Sequence, residues 1–497
     1  MVRIFIFLGG VLLVCLLTCH SPNSVAKRTD AVNVEQLKKI VEAFDQDPMM
    51  QQGFVALCVK SAKTGELIFA HQARKSLQVA SCMKTVTTMA GLALLGKDFT
   101  FKTYVEYEGA LQKGILQGNL YVRGGGDPTL GSKAIAGQDW EAILQQWVGK
   151  IKAAGISRID GDLIVDEEYF DENLIPYGWL WGDVGNYYGA PAFSLNLMDN
   201  TYEVHFQPGS NVEDPVSIQK IVPELLNLPF YNKVRTAAAG TGDQSNIYGA
   251  PYTSQRFADG TLPAGGVFIV KGSIPDPAFL CGQYVAAALS DAGVSLKGKV
   301  KTTRQMKEQK QKINTSRKLI HTHVSPSLTD IAKWINLFSV NLYAEAIFKT
   351  LGLKNTKMSN NEAGAKALKD FWKSKGINTE GLQIYDGSGL SSLNLISAEQ
   401  LTDMLCYTAK QPHFQAFYQS LPIAGVSGTM TGIAGRGRAL NNLRAKTGGM
   451  SGVSAYCGYF TAGNGELVAF TLIANRFVGQ YNPLLAQMEQ VMVTMTE

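Results

Sequence analysis

The sequence predicts a mixed helix-and-sheet (α+β) domain that is built from both ends of the chain and interrupted by a β-rich insertion. Apolar residues recur at helical spacing near the N-terminus and again after residue 325, whereas residues 97–324 show short alternating segments between glycine-rich turns. Near the C-terminus, two apolar segments flank a short turn and predict a β-hairpin. A chain of 497 residues is too long for one hydrophobic core, so roughly two to four domains are expected.

The N-terminal part of the folded chain is predicted to form a helix, two strands and a second helix. The first helix begins near Val34, and the strands cover Phe54 to Val59 and Leu67 to Ala70. The second helix opens at Ser81 and extends to Leu95. These elements belong to the predicted mixed domain rather than to the insertion.

After the insertion, the periodicity again becomes helical. Helical stretches are predicted from Leu328 to Leu351 and from Asn361 to Lys375. The terminal hairpin pairs Gly452–Phe460 with Leu467–Ile473, and a last helix follows Pro483. Because insertion at a surface loop is well tolerated, the two ends of the chain are expected to complete one domain.

The first residues have the pattern of an export signal. Arg3 precedes an apolar run from Ile4 to Leu17, which is too short to span a bilayer and fits the apolar region of a signal peptide. Ser24-Val25-Ala26 suits cleavage after residue 26, so that residues 1–26 would be removed. Alternatively, the sequence ending at Cys19 resembles a lipid-attachment signal. Both interpretations predict an exported, periplasmic protein, and the second anchors it to the membrane through a lipid on Cys19.

Charge and cysteine content exclude several function classes. The net charge of +5 is small, and without a clustered basic face it gives no basis for nucleic-acid binding. The basic run from Lys301 to Lys318 is interpreted as a solvated, mobile loop. Outside the signal, five cysteines without Cys-x-x-Cys spacing are interpreted as small buried hydrophobes rather than disulfide or zinc-binding residues: Cys58, Cys82, Cys281, Cys406 and Cys457.

The first candidate catalytic motif is Ser81-Cys82-Met83-Lys84. It places a hydroxyl and an amine one helical turn apart on the same face. A serine needs a base to become a good nucleophile, and a lysine can be that base if burial and a nearby cation lower its pKa. The spacing alone is unspecific, because Ser24 with Lys27 and Ser217 with Lys220 also match it.

Two further motifs supply the other polar groups that such chemistry needs. Ser339-Val340-Asn341 provides a hydroxyl that can relay a proton and a carboxamide that can hold a peptide group. Lys446-Thr447-Gly448 precedes the terminal hairpin, where its lysine and threonine can bind a carboxylate and its glycine permits close backbone approach. The matching Lys63-Thr64-Gly65 lies in a two-strand turn and is interpreted as a solvated decoy. Three other pairs also match the Ser-x-Asn pattern: Ser194 with Asn196, Ser359 with Asn361 and Ser392 with Asn394.

The order of the three motifs is the one found in penicillin-binding proteins and serine β-lactamases. The surrounding residues resemble the D-alanyl-D-alanine carboxypeptidase/endopeptidase family, also called class C low-molecular-mass penicillin-binding proteins or peptidase family S13. The resemblance covers nearly the whole mature chain. The matching stretches are Val79–Lys84, Gly125–Leu130, Trp179–Asp183, Tyr188–Pro191, Asp386–Ser391, Leu421–Val426, Ala445–Gly448 and Ser451–Ala455.

The resemblance implies a transpeptidase-like domain of the penicillin-binding-protein and serine β-lactamase fold with two nested, β-rich inserted domains. The catalytic domain would comprise residues 27–96 and 325–497. The outer inserted domain would comprise residues 97–199 and 276–324, and the nested domain residues 200–275.

The resemblance also implies an acyl-enzyme mechanism without metal or cofactor. Ser81 would attack the carbonyl carbon of a terminal D-Ala-D-Ala bond or of a D-amino-acid cross-link. Lys84 would take the serine proton, with Lys446 helping to keep that amine neutral, and Ser339 would pass a proton to the leaving amine. Water would then release the acyl group. The expected partners are peptidoglycan stem peptides and β-lactams, and the oligomeric state stays open.

Substrate binding is assigned by the same resemblance to the second and third motifs. Lys446 and Thr447, beside Gly448, would hold the terminal carboxylate, and Asn341 would hold the substrate backbone. The backbone N–H groups of Ser81 and Gly449 would form the oxyanion hole.

A side-chain pocket for a diaminopimelate-type residue is implied at Asp183, Tyr188 and Met450. Family members carry an arginine where this chain has Ser392. Because serine offers one neutral hydrogen bond instead of a bidentate grip, weak discrimination for a distal carboxylate is expected. Arg436 or Arg438 in the nearby glycine-rich loop could compensate.

Two other functions compete with a carboxypeptidase. A β-lactamase of the class that uses a glutamate-assisted water is a much shorter chain, so the long insertion argues against it. A catalytically inactive wall-binding or scaffold protein is disfavoured because all three motifs are intact. Carboxypeptidase and endopeptidase activities are not distinguished by the sequence.

Overall fold

The computed structural model describes residues 32–225 and 228–497. Both predictions for the N-terminus, cleavage after Ala26 and a lipid on Cys19, lie outside the described residues. Within those residues, none of the helices combines the length and apolar character needed to cross a membrane.

Twelve α-helices occur in the described residues. They are α1 Val34–Asp45, α2 Met83–Leu94, α3 Trp140–Ala153, α4 Trp181–Val184, α5 Pro277–Asp291, α6 Thr303–Glu308, α7 Leu328–Phe338, α8 Asn341–Thr356, α9 Asn361–Ser374, α10 Ala398–Ala409, α11 Phe414–Ser420 and α12 Tyr481–Thr496.

The same residues contain 24 strands. The first three are β1 Phe54–Ser61, β2 Leu67–His71 and β3 Ser76–Leu77. The next seventeen are β4 Lys102–Tyr107, β5 Ala110–Gln112, β6 Ile115–Gln117, β7 Leu120–Arg123, β8 Arg158–Ile159, β9 Leu163–Asp166, β10 Thr201–Gln207, β11 Ser217–Val222, β12 Phe230–Asn232, β13 Arg235–Ala237, β14 Asn246–Tyr248, β15 Arg256–Asp259, β16 Thr261–Pro263, β17 Phe268–Ser273, β18 Ser295–Leu296, β19 Val300–Thr302 and β20 Lys318–Val324. The last four are β21 Ile396–Ser397, β22 Arg444–Met450, β23 Val453–Thr461 and β24 Leu467–Asn475.

An antiparallel sheet of five strands joins the two ends of the chain. Its order is β2-β1-β24-β23-β22, and β1 pairs with β24 along its whole length, from Phe54 opposite Asn475 to Ser61 opposite Val468. The terminal hairpin of β23 and β24 therefore lies inside this sheet, between β1 and β22, rather than forming an isolated ribbon. The expectation of one mixed domain completed by both ends is confirmed.

Alternation along β1 divides the sheet between two apolar cores. Ala56 and Cys58 pack in the cluster that contains α2, α8 and α10, whereas Val55, Leu57 and Val59 pack with α1 and α12 on the opposite face. Successive strand residues point to opposite faces, so a strand buried on both sides is apolar throughout. Burial on both faces therefore explains why the sequence of β1 is a continuous apolar run.

The insertion has its own core and is more helical than predicted. Its largest sheet is mixed, in the order β19-β9-β7-β4-β20, and a separate apolar cluster draws on α3, α5 and these strands. Within that cluster, Trp140 of α3 lies edge-on to Tyr284 of α5 at 6.1 Å between ring centroids. The two long helices were missed because glycine-rich turns dominate the flanking sequence. The predicted domain boundaries stay a prediction.

Two other expectations need correction. The helical stretch predicted from Leu328 to Leu351 is two helices, because Ser339 adopts a left-handed backbone (φ +60°) and ends α7. The basic run is not a solvated loop, since it contains β19 and α6 and buries its arginines. Arg304 pairs with Asp276 at 2.8 Å, and Arg317 pairs with Asp166 at 2.6 Å.

The cysteines and the decoy motifs are placed largely as expected. The five cysteines outside the signal are free and buried. Ser217 and Lys220 both lie on β11 and not on a helix, and Lys63–Gly65 forms the turn between β1 and β2. Ser24 and Lys27 lie outside the described residues.

Candidate active site

Ser81 lies in a short 3₁₀ turn, Ala80–Cys82, that leads directly into α2. Ala80 has a positive φ of 45°, a conformation that a residue with a side chain adopts only when its surroundings enforce it. The residues around Ser81 are buried, but Ser81 itself is half-exposed and lines a cavity of about 670 Å³. The α-helix proper begins at Met83, two residues after the predicted start.

Lys84 follows one turn later and is completely buried. Its Nζ lies 2.9 Å from Ser81 Oγ and donates a hydrogen bond of 2.8 Å to the carbonyl oxygen of Ser388. Burial, and next the positive charge of Lys446, hold the pKa of Lys84 well below the ordinary lysine value. A neutral amine at this distance can accept the proton of the serine hydroxyl.

Ser339 and Lys446 form a second serine–lysine pair on the other side of the cavity. The left-handed Ser339 sits between α7 and α8, where its Oγ accepts a hydrogen bond of 2.9 Å from Lys446 Nζ. Lys446 also donates to the carbonyl oxygen of Thr447 at 2.7 Å. Burial lowers the pKa of Lys446 to about 8. The predicted first, second and third motifs therefore converge on one site.

Strand β22 brings the third motif against the turn that carries Ser81. A Cβ on Gly448 would overlap the carbonyl oxygen of Val79, whereas one on the neighbouring Gly449 would have open space. Glycine is required at residue 448 because two backbones touch there. Thr447 Oγ1 donates to Thr429 Oγ1 at 2.9 Å, which orients the threonine hydroxyl.

Residues of the mixed domain and residues of the insertion together line the cavity. The residues lining it that sequence analysis had selected are Ser81, Asp183, Tyr188, Ser339, Asn341, Gly449 and Met450. Thr447 and Gly448 lie behind the wall on the same strand. Ser81 and Gly449, whose N–H groups are predicted to form the oxyanion hole, thus line the same cavity.

The insertion contacts the second motif directly. Asn341 Nδ2, at the start of α8, donates to the carbonyl oxygen of Tyr188 at 2.6 Å. Burial raises the pKa of Asp183, and burial with the nearby Asp183 carboxyl raises the pKa of Tyr188 to about 12. This side of the cavity is consequently a partly desolvated carboxyl next to an aromatic ring.

The predicted role of Ser392 finds no support in its position. Among the residues that the structure describes, those lining the cavity do not include Ser392. The carbonyl oxygen of Ser392 accepts a hydrogen bond of 2.5 Å from Gln78 Nε2. Arg436 and Arg438 are exposed and are likewise absent from that wall. Its basic lining residue is instead Lys271 of β17, which sequence analysis missed because one lysine on an alternating strand carries no signal.

The carbonyl of Ser388 and the carboxyl of Glu345 were also missed as site groups. Glu345 accepts hydrogen bonds from the backbone of Gly387 and Ser388, directly behind Lys84. Within residues 32–225 and 228–497, no group of three or more His, Cys, Asp or Glu side chains is arranged to hold a metal ion.

Comparison with known proteins identifies what this chain resembles. The model of the D-Ala-D-Ala carboxypeptidase 3 (S13) family matches residues 37–496. A D-alanyl-D-alanine carboxypeptidase of Actinomadura sp. (strain R39) is 30% identical over 457 residues, covering 89% of this chain and 82% of that protein.

Two solved structures share the fold. Penicillin binding protein 4 from Haemophilus influenzae superposes with a TM-score of 0.77 at 25% identity, covering 93% of this chain and 98% of that one. The same protein complexed with a β-lactam superposes with a TM-score of 0.73 at 24% identity, with the same coverage of both chains.

Replacing Gly448 with alanine tests the close contact between β22 and the Ser81 turn. The added methyl group has to displace one backbone from the other, so we expect Gly448→Ala to lower the free energy of unfolding by about 1–3 kcal/mol. Urea titration followed by circular dichroism measures this change. Gly449→Ala, where space is open, is the matched control and should unfold like the wild type. Equal stability of all three proteins would contradict the contact.

Proposed function

Because the chain belongs to the D-Ala-D-Ala carboxypeptidase 3 (S13) family and is a penicillin-binding serine-type carboxypeptidase, we propose that it acts through an acyl-enzyme on Ser81. Its substrates would be peptidoglycan stem peptides that end in D-Ala-D-Ala, together with the D-amino-acid cross-links between stems. The observation that supports this most is the 2.9 Å approach of the buried Lys84 amine to Ser81 Oγ.

In the acylation step, the neutral amine of Lys84 accepts the proton of the Ser81 hydroxyl while Oγ attacks the scissile carbonyl carbon. The C=O electrons move onto oxygen, and the N–H groups of Ser81 and Gly449 stabilise the resulting oxyanion. Collapse of this intermediate breaks the C–N bond and leaves an ester on Ser81.

Departure of the amine requires a proton, and the second serine–lysine pair would supply it. The Ser339 hydroxyl can donate to the leaving nitrogen and take a replacement proton from Lys446, to which it is hydrogen bonded. Lys446 and Thr447 would also hold the terminal carboxylate of the peptide. Water then attacks the ester carbonyl carbon and passes a proton through Ser339 to the now neutral Lys446. The bond from the carbonyl carbon to Ser81 Oγ breaks, and Oγ takes its proton back from Lys84.

The far end of the cavity would bind the side chain of the third stem residue. Asp183 offers a carboxylate to an ammonium group, and Tyr188 and Met450 offer apolar walls. Lys271 gives the same wall a cation for a distal carboxylate. A cavity wall with carboxyl groups and a lysine suits a zwitterionic end group.

Action on cell-wall peptides would require export from the cytoplasm, for which residues 1–26 carry the predicted signal. The β-lactam bound to the Haemophilus influenzae protein supports β-lactams as ligands of the same cavity.

Ser81→Ala should abolish labelling by a fluorescent penicillin and hydrolysis of a D-Ala-D-Ala peptide. Covalent catalysis depends on the hydroxyl that contacts the Lys84 amine, so its removal is expected to lower kcat/KM by several orders of magnitude, about 10⁴-fold or more. Gel fluorescence and peptide turnover measure the two activities, with circular dichroism to verify the fold.

The wild-type result in the same assay separates the alternatives. A stable adduct supports the peptidase, and rapid turnover of the penicillin would indicate a β-lactamase. Absence of any adduct would indicate a scaffold protein. Retention of labelling by the alanine variant would contradict the assignment of Ser81.

Asp183→Asn should lower kcat/KM for a peptide with a free side-chain ammonium by about tenfold, roughly 1.4 kcal/mol. The same peptide with that amine acetylated is the control and should be hydrolysed equally by both proteins. Lys271→Met should in turn remove the preference for a free over an amidated distal carboxylate. Identical losses for charged and neutral substrates would contradict the pocket.

A further inference from the structure

The loop Asp386–Ser391 lies directly behind Lys84 and gives that lysine its second hydrogen bond. Its Ser388 carbonyl oxygen accepts from Lys84 Nζ at 2.8 Å, on the side of the amine that does not face Ser81. A Cβ on Gly389 would overlap the carbonyl oxygen of Ala80, so the loop also touches the turn that carries the nucleophile. The position of this loop therefore fixes where the Lys84 amine can sit.

Glu345 holds the same loop from α8. Its side chain is buried, with 1% exposed, and Oε1 accepts a hydrogen bond of 2.7 Å from the Ser388 N–H. Oε2 accepts a second hydrogen bond, of 3.2 Å, from the Gly387 N–H. Contacts thus run in series from the Glu345 carboxyl through the Ser388 backbone to Lys84 Nζ and then to Ser81 Oγ.

The buried position of the Glu345 carboxyl is energetically unfavourable. Burial, and next the neighbouring Asp386 carboxyl, raise the pKa of Glu345 to about 8. Burying an acid without an ion pair destabilises a fold, and such groups concentrate at functional sites. Glu345 is also one helical turn after Asn341, so a single helix carries both residues.

Other contacts also hold the loop. Thr87 Oγ1, on α2, donates to the carbonyl oxygen of Gly387 at 2.7 Å. The buried Asp386 carboxylate accepts from Trp179 Nε1, Ser391 N and Gly389 N at 2.6–2.8 Å. The peptide unit that contacts Lys84 is therefore held by α2 and α8 and, through Trp179, by the insertion.

We propose that Glu345 is a positioning residue for acylation: it fixes the Ser388 carbonyl, which in turn holds the Lys84 amine within reach of the Ser81 hydroxyl. This inference rests on the proposed function, because it assigns Glu345 to the step in which Lys84 accepts the serine proton. Misplacement of a catalytic base by about 1 Å is enough to lower a rate about a hundredfold.

The test measures penicillin acylation of the purified full-length protein by stopped flow, which separates the dissociation constant of the first complex from the acylation rate constant. We expect Glu345→Ala to lower the rate constant about a hundredfold and the isosteric Glu345→Gln about tenfold, with the dissociation constant within twofold of wild type. Thr87→Val, which frees the same loop from α2, should lower the same rate constant by a smaller factor. If Glu345→Ala does not fold, the acylation rate constant of Thr87→Val still tests the inference.

Glu106→Gln is the matched control, because Glu106 is a buried carboxylate that accepts two hydrogen bonds from Arg123 within the insertion. It should lower thermal stability without changing the acylation rate constant of the folded protein. Folded Glu345→Gln and Thr87→Val proteins that acylate at the wild-type rate would overturn the inference while leaving the proposed function intact. A wild-type protein that is not acylated at all would overturn both.

Discussion

The hydrogen bonding of one buried amine is the constraint on which this structure depends. Lys84 has no exposed surface, and its two hydrogen-bond partners among the described residues are a hydroxyl and a backbone carbonyl, neither of which carries a charge. A charged ammonium in that position would be strongly destabilised, so burial favours the neutral amine. The surrounding elements shield that amine from solvent and hold it next to Ser81.

Three parts of the chain meet at Lys84, and the topology explains why. The turn and helix that carry Ser81 and Lys84 follow β1 and β2, whereas β22, which carries Lys446, is the opposite edge of the same sheet. Helix α8 packs against α2 in the apolar core on one side of this sheet. A sheet completed by both ends of the chain therefore makes the site dependent on the folding of the whole domain.

The insertion is part of this arrangement rather than an appendage. Trp179 donates to Asp386 at the base of the Lys84 loop, and the Tyr188 carbonyl accepts from Asn341. A third connection joins Asp199 to Tyr343 of α8 at 2.6 Å. These bonds fix the wall that holds Asp183 and Lys271 relative to the nucleophile. The proposed side-chain pocket and the proposed catalytic groups thus share one hydrogen-bonded framework.

Local patterns predicted the parts of the site that local geometry determines. Ser81 and Lys84 are one helical turn apart, and Lys446 comes directly before the predicted hairpin, so the contribution of these three residues could be inferred from local patterns. Strand β22, which carries Lys446, was not predicted. Ser339 was also selected, but its left-handed backbone was not predicted, because Ser-Val-Asn is compatible with a continuous helix. Glu345 and Lys271 were missed for a different reason: their partners lie more than 40 residues away in sequence, and only packing brings them together.

The fold shows the same division. The elements that pack on both faces of the central sheet were predicted because burial gives their apolar residues a regular spacing in the sequence. Helices α3 and α5 were not, since their apolar faces are short and the insertion around them is rich in glycine turns. The buried ion pairs of Arg304 and Arg317 were taken for solvated charge because a carboxylate partner from a distant strand or helix leaves no trace in the local sequence.

The most direct test of this account is the protonation state of Lys84 in the free protein. Labelling lysine at Cε with ¹³C allows each amine to be titrated by NMR, and a Lys84→Arg variant assigns the resonance. The account predicts that Lys84 loses its proton at a lower pH than the exposed lysines of the same protein. A Lys84 resonance that titrates together with those exposed lysines would contradict it, because a charged amine could not accept the proton of Ser81.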